Sequence, residues 1–234
     1  MLPDFELCCS LFKKYNITLT AEQYHCFNIY AQYLVEYNEK VNLTSITAPD
    51  EILIKHFLDS VLLTKYADIS LNSTLIDVGT GAGFPSIPVK IMRPDIKLTL
   101  LDSLAKRITF LENLCNLISV EAEFIHGRAE DIAKMSEYRE KYDFSCARAV
   151  ANYSVLSEYC IPFLKVGGYF LSMKGPSEEI SDSKNAVAVL GGKIEKITDY
   201  SLEGDLRRVI VLKKISQTPT KYPRNSGQIK KKPL

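Results

Sequence analysis

Apolar and polar positions change their rhythm once along this chain, near residue 72. Before that point they recur at helical spacing. Thr20-Ala-Glu-Gln23 has the form of a capping box, and Tyr24, Phe27, Ala31 and Leu34 follow at intervals of three and four. A second helix is predicted from Thr47, with Pro49 just inside it, Asp50 and Glu51 in its first turn, and Leu53, Phe57 and Val61 as its apolar stripe. Residues 1–71 therefore read as an N-terminal helical cap. From Asn72 onward short apolar runs alternate with helical stretches, the pattern of βαβ units and a mostly parallel sheet. Strands are predicted near 74–78, 98–101, 122–125, 144–147, 169–173, 193–197 and 209–212. Leu104, Ile108, Leu111 and Cys115 mark one intervening helix, and residues 155–164 suggest another. Between the last two strands stands Glu203-Gly204-Asp205 in place of a helix, which predicts a C-terminal antiparallel hairpin closing a Rossmann-like α/β domain over residues 72–215.

Composition narrows the setting. The 234 residues are 46% hydrophobic and 24% charged, as in ordinary globular proteins, and no apolar run approaches the roughly 20 residues that span a bilayer. The opening Met1-Leu2-Pro3-Asp4-Phe5-Glu6 lacks a basic segment and a small-residue cleavage site, so a cytoplasmic location is expected. Cys8, Cys9, Cys26, Cys115, Cys146 and Cys160 form no Cys-x-x-Cys pair and have no His at zinc spacing; they read as small buried hydrophobes, and no metal is expected. The net charge of +1 conceals an asymmetry. Residues 216–234 hold Lys221, Arg224, Lys230, Lys231 and Lys232 without an acid, whereas residues 1–71 carry more acids than bases. That basic tail, with Pro219, Pro223 and Pro233, looks unable to pack a core of its own, and a polyanion would meet it first.

The informative chemistry lies in Leu75-Ile-Asp77-Val-Gly79-Thr-Gly81-Ala-Gly83-Phe84-Pro85, a strand running into a glycine loop and then a helix. Glycines let backbone approach a ligand closely, and a helix N-terminus offers free N–H groups. A dinucleotide fingerprint would need its third glycine where Phe84 stands, and Asp77 would repel a pyrophosphate. The same acid favours a cationic nucleoside, such as a sulfonium that carries an amino group. Some twenty residues on, Leu101-Asp102-Ser103 ends the next predicted strand, where a carboxylate can accept ribose hydroxyls. The structural alternative is that Asp102 or Ser103 only caps the following helix. The third strand delivers His126-Gly127-Arg128-Ala129-Glu130, placing a small residue and acids at the adenine position, and the fourth ends in Arg148, at the edge where open α/β sheets bind ligands. His126 is a general-base candidate or a structural residue, and His56 and Asp59 on one helix face either meet a substrate or bond each other.

With those residues set out, the chain resembles the bacterial 16S ribosomal RNA guanine-N7 methyltransferases of the small-subunit methyltransferase G family, also called glucose-inhibited division protein B. Tyr37-Asn38, Asn42-Leu-Thr44, His56 with Asp59-Ser60, the loop from Asp77 to Pro85, Leu101-Asp-Ser103 with Lys106-Arg107, Gly127-Arg-Ala-Glu130, Arg148-Ala-Val-Ala151, Lys174-Gly175 and Tyr222-Pro-Arg224 carry the likeness nearly end to end. It implies a class I methyltransferase fold, S-adenosylmethionine as cofactor and 16S ribosomal RNA or the small ribosomal subunit as partner, with the protein a monomer. It further implies that Gly79, Phe84, Ala129, Glu130 and Arg148 contact the cofactor, with Asp102 and Ser103 near its ribose; Asp77, Gly81 and Gly83 of the glycine loop are expected to bind it as well. Lys174, Arg207, Arg208, Tyr222 and Arg224 are the candidate RNA contacts, the cations for phosphates and the ring for stacking, with the Lys230–Lys232 run as further cations for phosphates. Ser86 departs from the expected glycine after Phe84-Pro85, and Asn225-Ser-Gly-Gln-Ile229 replaces a more proline-rich tail. Guanine N7 has an in-plane lone pair and no proton to lose, so no general base is expected. A small-molecule or protein methyltransferase, and a non-catalytic RNA-binding module that retains the cofactor, remain the other readings.

Overall fold

In the computed structural model, which describes residues 1–148, 152–175 and 183–234, seven strands form one sheet in the order β3-β2-β1-β4-β5-β7-β6. They are β1 (Thr74–Val78), β2 (Lys97–Asp102), β3 (Glu123–His126), β4 (Tyr142–Arg148), β5 (Leu164–Lys174), β6 (Gly192–Leu202) and β7 (Asp205–Lys214). The first five pair in parallel and β7 runs antiparallel to both neighbours. All seven predicted strands are present. The chain winds outward from β1 to β3 and then returns to β4, which puts a topological switch point at the carboxyl ends of β1 and β4. At the hairpin tip, Glu203 and Gly204 have φ of 46° and 95°, the left-handed pair that a tight two-residue hairpin turn requires.

The N-terminal residues form α1 (Phe5–Lys14) and α2 (Ala21–Asn38), followed by α3 (Pro49–Glu51), a π-helical stretch (Ile52–Leu58) and α4 (Asp59–Tyr66). The capping box of α2 forms as expected, with Thr20 Oγ1 accepting from the Gln23 N–H and the Gln23 side chain accepting from the Thr20 N–H. Two details differ from the pattern-based expectation. Ala48, not Thr47, is the N-cap of α3 and offers no side-chain cap, Pro49 at the first position leaving one fewer N–H to satisfy. The single predicted helix is also wound wide in its middle, because the seven residues of the π stretch serve a site described below.

Behind the sheet's first face, α2, α4, α5 (Ser86–Met92) and α6 (Ala105–Leu117) build one core with the strands. Phe27 and Phe57 stack with centroids 4.8 Å apart, and Tyr30 lies flat on Phe84 at 5.2 Å while its hydroxyl donates to the Ala82 carbonyl. The helical cap thus shares its core with the sheet and buttresses the glycine loop. On the opposite face lie α7 (Ala129–Ile132), α8 (Tyr153–Cys160), a 3-10 turn (Ile161–Phe163), α9 (Lys184–Val189) and the tail, which ends in α10 (Ser226–Lys231). Among the described residues no helix is long and apolar enough to cross a membrane.

The tail borrows this second core. Tyr222 and Ile229 are buried, and Arg224 forks onto the fully buried Glu158, donating from Nη2 to Oε2 at 2.7 Å and from Nε to Oε1 at 2.9 Å. Upstream, the fully buried Lys214 meets Glu140 Oε1 at 2.7 Å, and the Thr218 N–H donates to the same oxygen. Glu140→Ala would leave an ammonium buried without its counter-charge, and we expect it to cost about 3–5 kcal/mol, with Glu140→Gln milder. Urea unfolding of both variants measures this; equal stability of Glu140→Ala and the parent would refute it.

Candidate active site

Glycine conformation shapes the first cavity. Gly79 and Gly81 have φ of 71° and 61°, and their loop turns back so that the Gly79 and Thr80 N–H groups both donate to the Leu101 carbonyl at the end of β2. A Cβ at Gly79 would meet nothing within 4 Å, whereas one at Gly83 would lie 2.5 Å from Ile87 Cδ1 and 2.8 Å from the Tyr30 hydroxyl. Gly79 thus opens onto a space and Gly83 lets α2 and α5 close in behind it. That space is a cavity of about 430 Å³ at the carboxyl ends of β1, β2 and β3, within the range of about 300–1,000 Å³ typical of small-ligand sites.

Of the residues expected at a cofactor, Gly79, Asp102, Ser103, Ala129 and Glu130 line this cavity, together with Leu101, Gly127, Arg128, Asn152, Val155, Leu156 and Tyr159. Asp102 Oδ1 accepts from the Leu104 N–H at 2.9 Å, ahead of α6, whose own N-terminus carries no side-chain cap, and its other oxygen accepts from the Gly81 N–H at 2.9 Å and from Arg107 at 3.2 Å. One carboxylate therefore ties the glycine loop to β2. Glu130 is buried, receives no hydrogen bond from the described residues, and has Arg128 as its ion-pair partner at 3.8 Å.

Asp77 lies behind the loop rather than in the cavity. Its Oδ2 accepts from the Thr80 and Ser86 hydroxyls at 2.9 and 2.5 Å, so the serine that departs from the expected glycine fastens the carboxylate in place. Burial pushes this carboxyl up to about 6 against the hydrogen bonds that hold it down. Gly81, Gly83 and Phe84 likewise form the frame of the loop and not the wall of the cavity.

Arg148 belongs to a second, smaller cavity of about 270 Å³, with Lys55, His56, Asp59, Lys174, Tyr200 and Arg207 in its wall. Its guanidinium donates to the Lys55 carbonyl at 3.1 Å and to His56 Nδ1 at 3.0 Å, and lies 4.8 Å above the Phe84 ring. A guanidinium has only donors, so Nδ1 must be the acceptor and the imidazole proton sits on Nε2, 2.9 Å from Thr44 Oγ1. Burial, then the Arg148 charge, brings His56 down to about 3. Asp59 lies 3.6 Å from Arg148 and 3.7 Å from Arg207, and accepts from the Tyr200 hydroxyl at 2.9 Å. Burial, countered by Arg148, raises this carboxyl. His56 and Asp59 are thus joined through Arg148. The Lys55 carbonyl and the His56 ring that meet this one guanidinium both lie within the π-helical stretch.

Five candidate RNA contacts separate into two groups. Lys174 and Arg207 line the second cavity, and Arg208 pairs with Asp199 at 2.6 Å beside it in the hairpin. Tyr222 and Arg224 turn inward instead, because the buried Glu158 demands a counter-charge and the ring finds apolar cover. His126 is exposed and its Nε2 lies 3.2 Å from the Ser103 carbonyl, a backbone contact. The Ala149–Ala151 part of the Arg148 motif lies outside the described residues. The sequence pattern gave no reason to place Ser226, Lys230 and Pro233 in the first cavity's wall, although they stand at helical spacing of four and three.

A glycine loop after β1, an acid closing β2 and a nucleoside-sized cavity at the switch point define a Rossmann-like α/β methyltransferase. Solved structures agree on the fold: a SAM dependent methyltransferase from Aquifex aeolicus superposes with a TM-score of 0.54 at 14% identity, covering 76% of this chain and 97% of that one. P. horikoshii TYW2 in complex with MeSAdo gives 0.53 at 15% identity over 68% and 62%. The chain belongs to the rRNA small subunit methyltransferase G family, whose model matches residues 23–211. Among relatives named Ribosomal RNA small subunit methyltransferase G, that of Lactobacillus acidophilus is 50% identical over 94% of this chain and 95% of its own length. That of Clostridium kluyveri is 48% identical over 98% of each.

The buried imidazole makes a prediction about acid stability. Because His56 falls from 6.5 to about 3 on folding, the unfolded chain takes up a proton between those values that the folded chain refuses. Stability from this group is full above pH 6.5 and is lost toward pH 3, by about 1.4 kcal/mol per unit. Asp77, raised from 3.8 to about 6, has the opposite sign and gains as pH falls through that window. His56→Gln should therefore be less acid-sensitive than the parent between about pH 6 and 4.5. Urea titrations at the two values decide; an unchanged difference would refute it.

Proposed function

We propose that this protein transfers a methyl group from S-adenosylmethionine to N7 of a guanosine in 16S ribosomal RNA, as a cytoplasmic monomer, with the adenosyl end of the cofactor in the first cavity and the target guanine in the second. The observation that carries this reading is the pair of cavities at the carboxyl edge of the sheet, linked by the run from Gly79 to Phe84 and by Arg148 stacked on that phenylalanine, in a chain of this family. The residues fit the cofactor. Gly79 leaves room for a ligand where any other residue would place a side chain, Asp102 retains acceptor capacity for a ribose hydroxyl, and Glu130 is a buried acceptor that receives no hydrogen bond from the described residues, suited to an exocyclic amine.

When bound, the cofactor supplies an electrophilic methyl group on a sulfonium. The chain's own contribution is positioning and electrostatics. Gly79 and Arg148, the latter backed by Phe84, bound the reacting end, while Lys55, Lys174 and Arg207 present cations to the phosphates that flank the target base. Arg148 and His56 are held by each other, so the wall of the acceptor cavity is pre-formed and His56 stays neutral at working pH. Guanine N7 attacks with a lone pair that bears no proton, and the protein needs no base to remove one.

Two measurements test this. Asp102→Ala should weaken S-adenosylmethionine binding by about 1–3 kcal/mol, the cost of leaving buried donors unpaired, and calorimetry showing equal affinity would refute the cofactor placement. Single-turnover methyl transfer to small-subunit RNA, with N7-methylguanine mapped by chemical strand cleavage, should be nearly flat from about pH 6 to 9, since a base contributes its roughly 10²–10⁴-fold only where a proton moves. A tenfold rise per pH unit, abolished in His126→Ala or His56→Ala, would instead identify an exocyclic amine or hydroxyl as the acceptor.

A further inference from the structure

The basic tail is built into the molecule along its whole course. From Lys214 it is held by Glu140, then by Arg139, which donates to the Thr218 carbonyl at 2.8 Å and the Tyr222 carbonyl at 2.9 Å, and finally by the Arg224 fork on Glu158. The capping box of Asn225 and Gln228 then starts α10, whose Ile229 is wholly buried against the domain. Ser226 and Lys230, at i and i+4 of α10, and Pro233 beyond the end of the helix form a wall of the first cavity, and Arg128 donates to Ser226 Oγ at 3.3 Å. The helix that anchors the tail also lines the cavity, since Glu158 grips the tail while its neighbour Tyr159 and Val155 line that space. The glycine loop stands across that space from them.

We propose that the C-terminal segment 222–234 is part of the cofactor site, with Lys230 and Ser226 as binding residues for the adenosine end of S-adenosylmethionine, and that its service is not confined to RNA. The proposal rests on the assignment of the first cavity to the cofactor. Placement at the adenosine end follows from the neighbours: the tail faces Gly127–Glu130 and α8, beyond the β3 edge, whereas the reacting end lies toward Phe84 and Arg148 on the β4 side. A ligand bridging the domain and this segment must also favour the docked tail over any loosened form, by the differential affinity it has for the two. Lys230 and Lys231, both exposed, report that docking directly as sites of tryptic cleavage.

The test uses S-adenosylhomocysteine and 5′-methylthioadenosine, which share adenosine and differ in the amino-acid end, with the full chain, Lys230→Ala and a chain ending at Ile229. We expect the shortened chain to bind both ligands about tenfold more weakly, Lys230→Ala to lose less but in the same ratio for both, and S-adenosylhomocysteine to slow cleavage after Lys230 and Lys231 in the full chain. Thermal unfolding without ligand shows which variants fold; should the shortened chain not, Lys230→Ala and Ser226→Ala decide. Unchanged affinity for both ligands, with loss confined to RNA retention on filters, would overturn the proposal. Weakening of S-adenosylhomocysteine alone would overturn the placement at adenosine. A full chain that binds neither ligand would overturn the assignment of the first cavity itself, a failure visible before any variant is made.

Discussion

A buried positive charge organises the site. Arg148, whose side chain is 15% exposed, ends β4 and would be costly there without compensation. The Lys55 carbonyl, the His56 lone pair, the Asp59 carboxylate and the face of Phe84 all converge on it. Those groups come from two separate parts of the chain, and Arg148 itself from a third. One guanidinium thereby ties the helical cap, the glycine loop and the sheet together, and its partners Lys55 and His56 lie within the π-helical stretch.

Buried acids do the complementary work. Asp102 binds the loop to β2 through the Gly81 N–H, Asp77 pins the loop's stem through Thr80 and Ser86, and Glu158 holds the tail through Arg224. Asp102 and Glu158 each face an arginine, whereas Asp77 is buried with two hydroxyls and its Oδ1 meets no nitrogen or oxygen donor among the described residues; burial raises its carboxyl to about 6.

The tail illustrates how composition misleads when a partner is buried elsewhere in the chain. Five cations without an acid, interrupted by prolines, describe a segment that cannot pack by itself, and it does not: it packs on α8 and the second core. Glu158, some 66 residues away in sequence, decides the matter, because a wholly buried carboxylate needs the fork that Arg224 supplies.

Much of the architecture was legible in the sequence by itself, for a physical reason: short apolar runs, helical stripes and turn residues encode local geometry. All seven strands, the capping box at Thr20, the tight turn at Glu203-Gly204 and the glycine loop with Asp102 beyond it depend on neighbours within a few positions or on one strand-to-strand spacing. The family was legible too, since its motifs run nearly the length of the chain. Only the tertiary structure decided where each side chain spends its charge. That His56 is a neutral acceptor for Arg148, that Ser86 serves Asp77, that Tyr222 and Arg224 face inward and that Ser226 and Lys230 wall a cavity all depend on pairs brought together from distant positions, and burial sets the strength of each because a charge without its partner in the interior costs more than any local preference can return.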